Sequence, residues 1–251
     1  MRTQQIKSII TALCFGMSLS AVSSGVLAED FRLHGAATLG KTIVLPNQAA
    51  IEAKSGVKLS VLINGSGNGL KDLVAGKADM SMIAAPIEAE AKVINASTPG
   101  ALDVSALQVK QVGTAKVHVI VNPANTVKLT AAQAKDIISG KITNWKDVGG
   151  ADGAILVVAE GPGQGTRAVV ESVFLKGDIA KNARTVTTLA QVADVVKQVP
   201  GAIGYGNSSS ITPAVSQVGG IDILQPLSLV TKGAPSATAA KVISAIMAHA
   251  K

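Results

Sequence analysis

The sequence predicts an α/β protein built on a mainly parallel sheet. Two observations carry that expectation. Beyond the first 28 residues, short apolar runs of strand length alternate with amphipathic stretches of helix length. The chain also falls into two such halves, each with a glycine-rich strand-to-helix turn, Gly65-Ser66-Gly67-Asn68-Gly69 and Gly161-Pro162-Gly163-Gln164-Gly165. Strands that alternate with helices form layered, largely parallel sheets, because a crossover helix returns the chain to the same end of the sheet. Ligands of such folds sit outside the carboxyl ends of the strands.

The elements follow in order. Phe31-Arg32-Leu33-His34 reads as a first strand, and Thr38 to Lys54 as a helix despite Pro46. Val57 to Ile63, VKLSVLI, alternates apolar and polar residues as a strand does. Leu70 to Ala75 continues the glycine turn as a helix, and Ala78 to Ala85 is the next apolar run. Val117 to Val121, VHVIV, is a strand of buried type ended by Asn122-Pro123. Leu129 to Ser139 is a helix with Thr130 as N-cap and Gly140 as stop. Ile155 to Ala159 is a strand, and from Thr166 the residues Val169, Val170, Val173 and Phe174 recur at helical spacing. Gln191 to Val199 is a helix stopped by Pro200-Gly201, followed by short strands at Ala202–Tyr205 and Leu227–Val230. Pro235 to Ala250 closes the chain as a helix whose buried face is Val242, Ile243, Ile246 and Met247.

Residues 1–28 have the layout of a cleaved secretory signal: Arg2 and Lys7, a mostly apolar Ser8–Val22, then Val26 and Ala28 before the cut. The expected mature chain is exported to the periplasm. Cys14 is the only cysteine and lies in that segment, so the mature chain has no disulfide, thiolate metal site or cysteine nucleophile. Leu13 stands where a lipoprotein site wants a small residue. The formal charge of +7 becomes +5 without Arg2 and Lys7, a mild excess that favours anions. Mature aromatics are limited to Phe31, Trp145, Phe174 and Tyr205. That is no stacking platform for nucleic acid, and no nucleic-acid partner is expected. His34, His118 and His249 show no catalytic or metal-ligand spacing. Catalysis, a metal and a cofactor are not expected.

Three helix starts offer backbone N–H groups: Thr38-Leu39, Ser66-Gly67 and Gly165-Thr166. Unpaired N–H groups and the helix dipole favour an anion there. Each alone is weak, since a glycine turn before a helix is commonly only a turn; together they suggest convergence on one ligand. A longer set of motifs points the same way: Gly35-Ala36-Ala37-Thr38-Leu39; Asn64 through Lys71, NGSGNGLK; Ala78-Asp79-Met80-Ser81 with Ala85-Pro86; Leu129-Thr130 through Ser139-Gly140-Lys141-Ile142-Thr143-Asn144-Trp145; Gly163-Gln164-Gly165-Thr166-Arg167; and Val199 through Tyr205, VPGAIGY. In that order and over nearly the whole mature chain, it resembles the phosphate-binding proteins of bacterial ABC importers, within the type II periplasmic binding proteins.

The resemblance implies a two-lobed type II periplasmic binding protein fold, each lobe a mainly parallel sheet flanked by helices, closing on a desolvated oxyanion. It implies a phosphate-type small-molecule ligand and ABC transporter membrane subunits as partners. Lobe one is expected at 30–116 plus 208–251 and lobe two at 117–207, with hinges at the two crossings. Thr38, Leu39, Ser66, Gly67, Gly165 and Thr166 fall at or beside the family's ligand-binding positions, and Gln164 replaces a usual serine. Arg167 follows, where it neutralises Glu160, reaches the ligand, or stays an exposed first-turn residue.

Two departures modify the pocket. The family's phosphate arginine position holds Glu160, and an acidic or serine position holds Ala84. Opposite unit charges about 4 Å apart are worth roughly 4 kcal/mol at an effective dielectric of about 20. A carboxylate in place of arginine about doubles that swing, whereas a helix end returns only ~0.3–2 kcal/mol. Glu160 therefore faces elsewhere, is protonated, is neutralised by Arg167, or the ligand has changed to a small organic acid or zwitterion. A scaffold or sensor that no longer transports is the further alternative.

Overall fold

The computed structural model describes residues 30–208 and 210–250. The expected signal segment lies outside the described residues. Nine strands share one sheet in the order β2-β1-β3-β9-β4-β7-β5-β6, with β8 attached to β4. The strands are β1 Phe31–Gly35, β2 Leu59–Ile63, β3 Met80–Ile83, β4 Leu107–Val121, β5 Leu156–Glu160, β6 Arg184–Val186, β7 Ala202–Asn207, β8 Ser216–Gln217 and β9 Ile223–Lys232. The helices are α1 Ala37–Leu39, α2 Gln48–Ser55, α3 Ser66–Val74, α4 Ile87–Ser97, α5 Ala131–Ile138, α6 Gly165–Val169, α7 Leu189–Gln198 and α8 Ala237–Met247.

Parallel pairing holds the two ends of the sheet: β2-β1-β3 on one side and β7-β5-β6 on the other. The middle is antiparallel. There β9 pairs with β3 and β4, and β4 pairs with β7. Only Val117–Val121 of β4 has the continuous apolar character expected of a buried strand. Its first half, LQVKQVGTAK, buries Leu107 and Val112 but keeps most side chains in water, so it carries no regular core pattern, yet it pairs with β9 over its length. The register slips between Gln111 and Gly113; such a bulge bends and twists a strand. For the same reason β9 extends well beyond the expected Leu227–Val230.

Three apolar clusters form the core. One gathers Leu33, Leu39, Val44, Met80, Met82 and Val242 around β1, β3 and α8. A satellite packs α3 and α4 against the same half through Leu70, Ile83 and Ile94. The third fills the other half with Val119, Ile137, Trp145, Val158, Val196 and Tyr205. Val215, Val218, Ile221 and Ile223 also pack into this third cluster, although they follow the expected crossing at 207/208.

The expected helix Thr38–Lys54 is one helical run with changes of pitch. A wide π-type turn, Gly40–Val44, and a tight 3-10 turn, Leu45–Asn47, separate α1 from α2. Pro46 explains it: proline has no N–H and clashes with the carbonyl four residues back. Side chains take up freed carbonyls, with Thr42 Oγ1 donating to Thr38 O (2.7 Å) and Asn47 Nδ2 to Ile43 O (2.8 Å). Thr130 caps α5 as expected, and Gln133 completes a capping box with it.

Candidate functional site

A cavity of about 380 Å³ lies at the carboxyl ends of the parallel strands. Ala36 follows β1, Asn64 and Gly65 follow β2, Ala84 follows β3, Glu160 ends β5, and Thr187 follows β6. The halves meet beside it. The Gly67 N–H donates to the Gly163 carbonyl at 3.1 Å, and a Cβ on Gly165 would overlap Ser66 Oγ. The glycine turns therefore serve the close approach of two backbones.

The helix starts have open N–H groups. The first bond of α6 is Ala168 N–H to Gln164 O, which leaves the Gly165, Thr166 and Arg167 N–H groups ahead of it. Likewise α3 begins bonding at Gly69 to Gly65. No side chain caps α1, α3 or α6, whereas Thr188 and Ser236 cap α7 and α8.

Two threonines from opposite halves, Thr38 and Thr166, line the cavity. A buried amide pair fixes them. Asn207 Nδ2 donates to Thr38 Oγ1 (3.0 Å) and to Gln225 Oε1 (3.2 Å). Gln225 Nε2 donates to Thr166 Oγ1 (2.9 Å) and to the Ala84 carbonyl (2.9 Å). An amide nitrogen has two hydrogens, and both nitrogens spend theirs. Each threonine oxygen is therefore an acceptor within the network, and its own O–H hydrogen is left to donate to an occupant. Sequence reasoning missed Asn207 and Gln225. The signal for Gln225 was a lone amide in an apolar strand, Ile223-Leu224-Gln225-Pro226-Leu227.

Of the other expected ligand residues, Gln164 and Gly165 line the cavity, and so do the modifiers Glu160 and Ala84. Four do not. Leu39 points its side chain into the core. Ser66 is wholly buried, and its hydroxyl accepts the Ala84 N–H at 3.2 Å. The Gly67 N–H is taken by Gly163. Arg167 is turned away: Nε bonds Glu171 Oε1 (2.9 Å), and Nη1 bonds the Glu160 backbone carbonyl (2.7 Å). It pairs with Glu171, not with the Glu160 carboxylate. Lys41 joins the lining from one turn beyond Thr38, a position that i,i+3 spacing places on the same face.

Glu160 is 5% exposed. Burial raises its carboxyl to about 7, partly opposed by the Leu189 N–H at the start of α7 and the charge of Arg167. Its backbone N–H donates to the Tyr205 hydroxyl at 3.0 Å. Beneath Ser66 lies a second buried carboxyl, Glu90, raised to about 8 by burial and partly opposed by the nearby Ser66 hydroxyl; that hydroxyl is not close enough to make a well-formed hydrogen bond with either oxygen.

A sheet that joins two α/β halves, with a cleft at their shared carboxyl edge, defines a class of two-lobed binding proteins. The chain belongs to the PBP superfamily, whose domain model matches residues 32–245. Among curated relatives, the phosphate-binding protein PstS of Bacillus subtilis (strain 168) is 28% identical over 208 residues, 82% of this chain and 66% of the relative. The phosphate-binding protein PstS of Staphylococcus saprophyticus is 31% identical, over 78% of this chain and 63% of the relative. The chain thus spans a little under two-thirds of their length. Solved structures share the fold. An ABC-type phosphate transport receptor from Vibrio cholerae superposes with a TM-score of 0.67 at 22% identity, covering 87% of this chain and 93% of the other. The reduced form of OxyR from Neisseria meningitidis reaches 0.62 at 13% identity, covering 88% and 95%. One fold serves different tasks, so function is argued from the site.

Proposed function

We propose that this protein is a periplasmic solute receptor that captures phosphate or a related small oxyanion in the cleft and hands it to the membrane subunits of an ABC importer. The reading is one of binding, not catalysis. The observation that carries it is the pair of hydroxyls, Thr38 and Thr166, held as donors toward one cavity by Asn207 and Gln225. Open N–H groups at the start of α6, at Gly165 and Thr166, add donors of the same sense. The likeness to phosphate-binding relatives and to a phosphate transport receptor supports the choice of ligand and partner.

In this reading the chain divides near 30–116 plus 208–251 and 117–207, and β4 and β9, which cross between the cores, serve as the hinge. The segment 215–223 moves with the second lobe, since its apolar side chains pack there.

Thermal unfolding with phosphate, sulfate and molybdate tests the function. A ligand at 100 times Kd stabilises by about 2.7 kcal/mol, which is ~5–10 °C for a chain of this size. A rise with at least one oxyanion is expected. No rise with any of them, nor with small zwitterions, favours the scaffold or sensor reading.

A further inference from the structure

The cavity holds a group that a bare oxyanion does not use. Glu160 borders it, yet its Oε2 is buried without a hydrogen-bond partner. Its backbone N–H and C=O are occupied by Tyr205 and Arg167, so the carboxyl is what Glu160 has left to offer. Among the described residues no lysine, arginine or histidine makes an ion pair with it, and Arg167 is committed to Glu171. A second buried acceptor comes from the other half, after β2. Asn64 also lines the cavity, and its Oδ1 has no partner because the amide donates to Asp72 through Nδ2 (2.9 Å). The same cavity is also lined by donors: Thr38, Thr166 and the lysine ammonium of Lys41.

Size points the same way. The halves are already in contact through Gly67 and Gly163, and about 380 Å³ remains. That is more space than a five-atom tetrahedral ion fills.

Resting on the oxyanion reading above, we propose that the ligand is a small zwitterion: an oxyanion held by Thr38, Thr166 and Lys41, with an ammonium group that bonds the Glu160 carboxylate. Buried polar groups left unpaired are costly, so a site that presents them discriminates strongly against ligands lacking the matching group. Glu160 is then the specificity residue. An ammonium at that point also favours its ionised form, reversing the effect of burial.

The test uses the chain freed of residues 1–28 in calorimetric titrations at neutral pH. The probes are inorganic phosphate, ethylphosphonate and 2-aminoethylphosphonate, the last two differing in the ammonium. The expected result is at least tenfold tighter binding of 2-aminoethylphosphonate than of ethylphosphonate, falling to within about threefold in Glu160→Gln. Glutamine keeps an oxygen to accept the Leu189 N–H, so the α7 contact survives while the charge is lost. Equal affinity for the two phosphonates, or a preference unchanged in Glu160→Gln, overturns the proposal while leaving the oxyanion site intact. Failure of all three probes to bind overturns the oxyanion reading as well.

Discussion

Two carboxyl groups with raised affinity for protons, Glu90 and Glu160, set the behaviour of the site at the scale of single residues. Their folded values, about 8 and about 7, lie above the ordinary 4.5. Between 4.5 and those values the folded chain holds protons that the unfolded chain releases. Stability is therefore greatest below the lower limit and falls as pH rises through the window. Thermal unfolding from pH 5 to pH 8 should show a declining Tm. Glu90→Met, an apolar side chain of similar length, should raise Tm at pH 8 and flatten the decline, because no unpartnered carboxyl is then buried. A variant with the wild-type profile would show that Glu90 is not the group responsible. Glu160 was legible in the sequence as the odd residue of the loop. That its carboxyl is buried and that Arg167 pairs with Glu171 instead of with it was not, since both follow from the packing of α6 against β5.

At the scale of elements, the network that aims the threonines depends on β9 and β7, not on the glycine turns. Gln225→Leu keeps the volume and removes both donated bonds. It should weaken oxyanion binding about tenfold or more by freeing the Thr166 hydroxyl to rotate, although Gln225 is expected to touch no ligand. Calorimetry checks this, and an unchanged Kd would mean that the hydroxyl is oriented otherwise. The elements recovered from sequence are those with strong local signals: the alternating β2, the apolar second half of β4, and the α5 capping box. The Thr188–Gln191 capping box places the start of α7 at Leu189, two residues before the expected start, and so brings Thr187 to Ala190 to the cavity. The polar half of β4 and the helix α4 were not recovered. Half-exposed strands and helices carry mixed patterns whose pairing is decided by partners distant in sequence.

For the whole molecule, the sheet joins two α/β halves through antiparallel β4 and β9, and the cleft lies where the halves meet. The glycine motifs announced the two halves. They did not announce that Ser66 and Gly67 bond across the interface or inward, while Thr38 and Thr166 keep free donors. An interface between lobes is a long-range product, and short motifs do not encode which group faces the solute. If closure on ligand is the working motion, scattering measurements should show a smaller radius of gyration when the tightest oxyanion of the panel is bound, and no change would argue for a fixed cleft. The central claim, that hydroxyls from opposite halves donate to one anion, is tested most directly by titrating that oxyanion into the wild type, Thr38→Val and Thr166→Val. Valine preserves shape and removes the donor. A hydrogen bond to a charged group is worth about 1.5–3 kcal/mol, so each variant should bind about 10–100-fold more weakly; each keeps the fold at a somewhat lower Tm, because Asn207 or Gln225 loses an acceptor. Wild-type affinity in either variant would contradict the account.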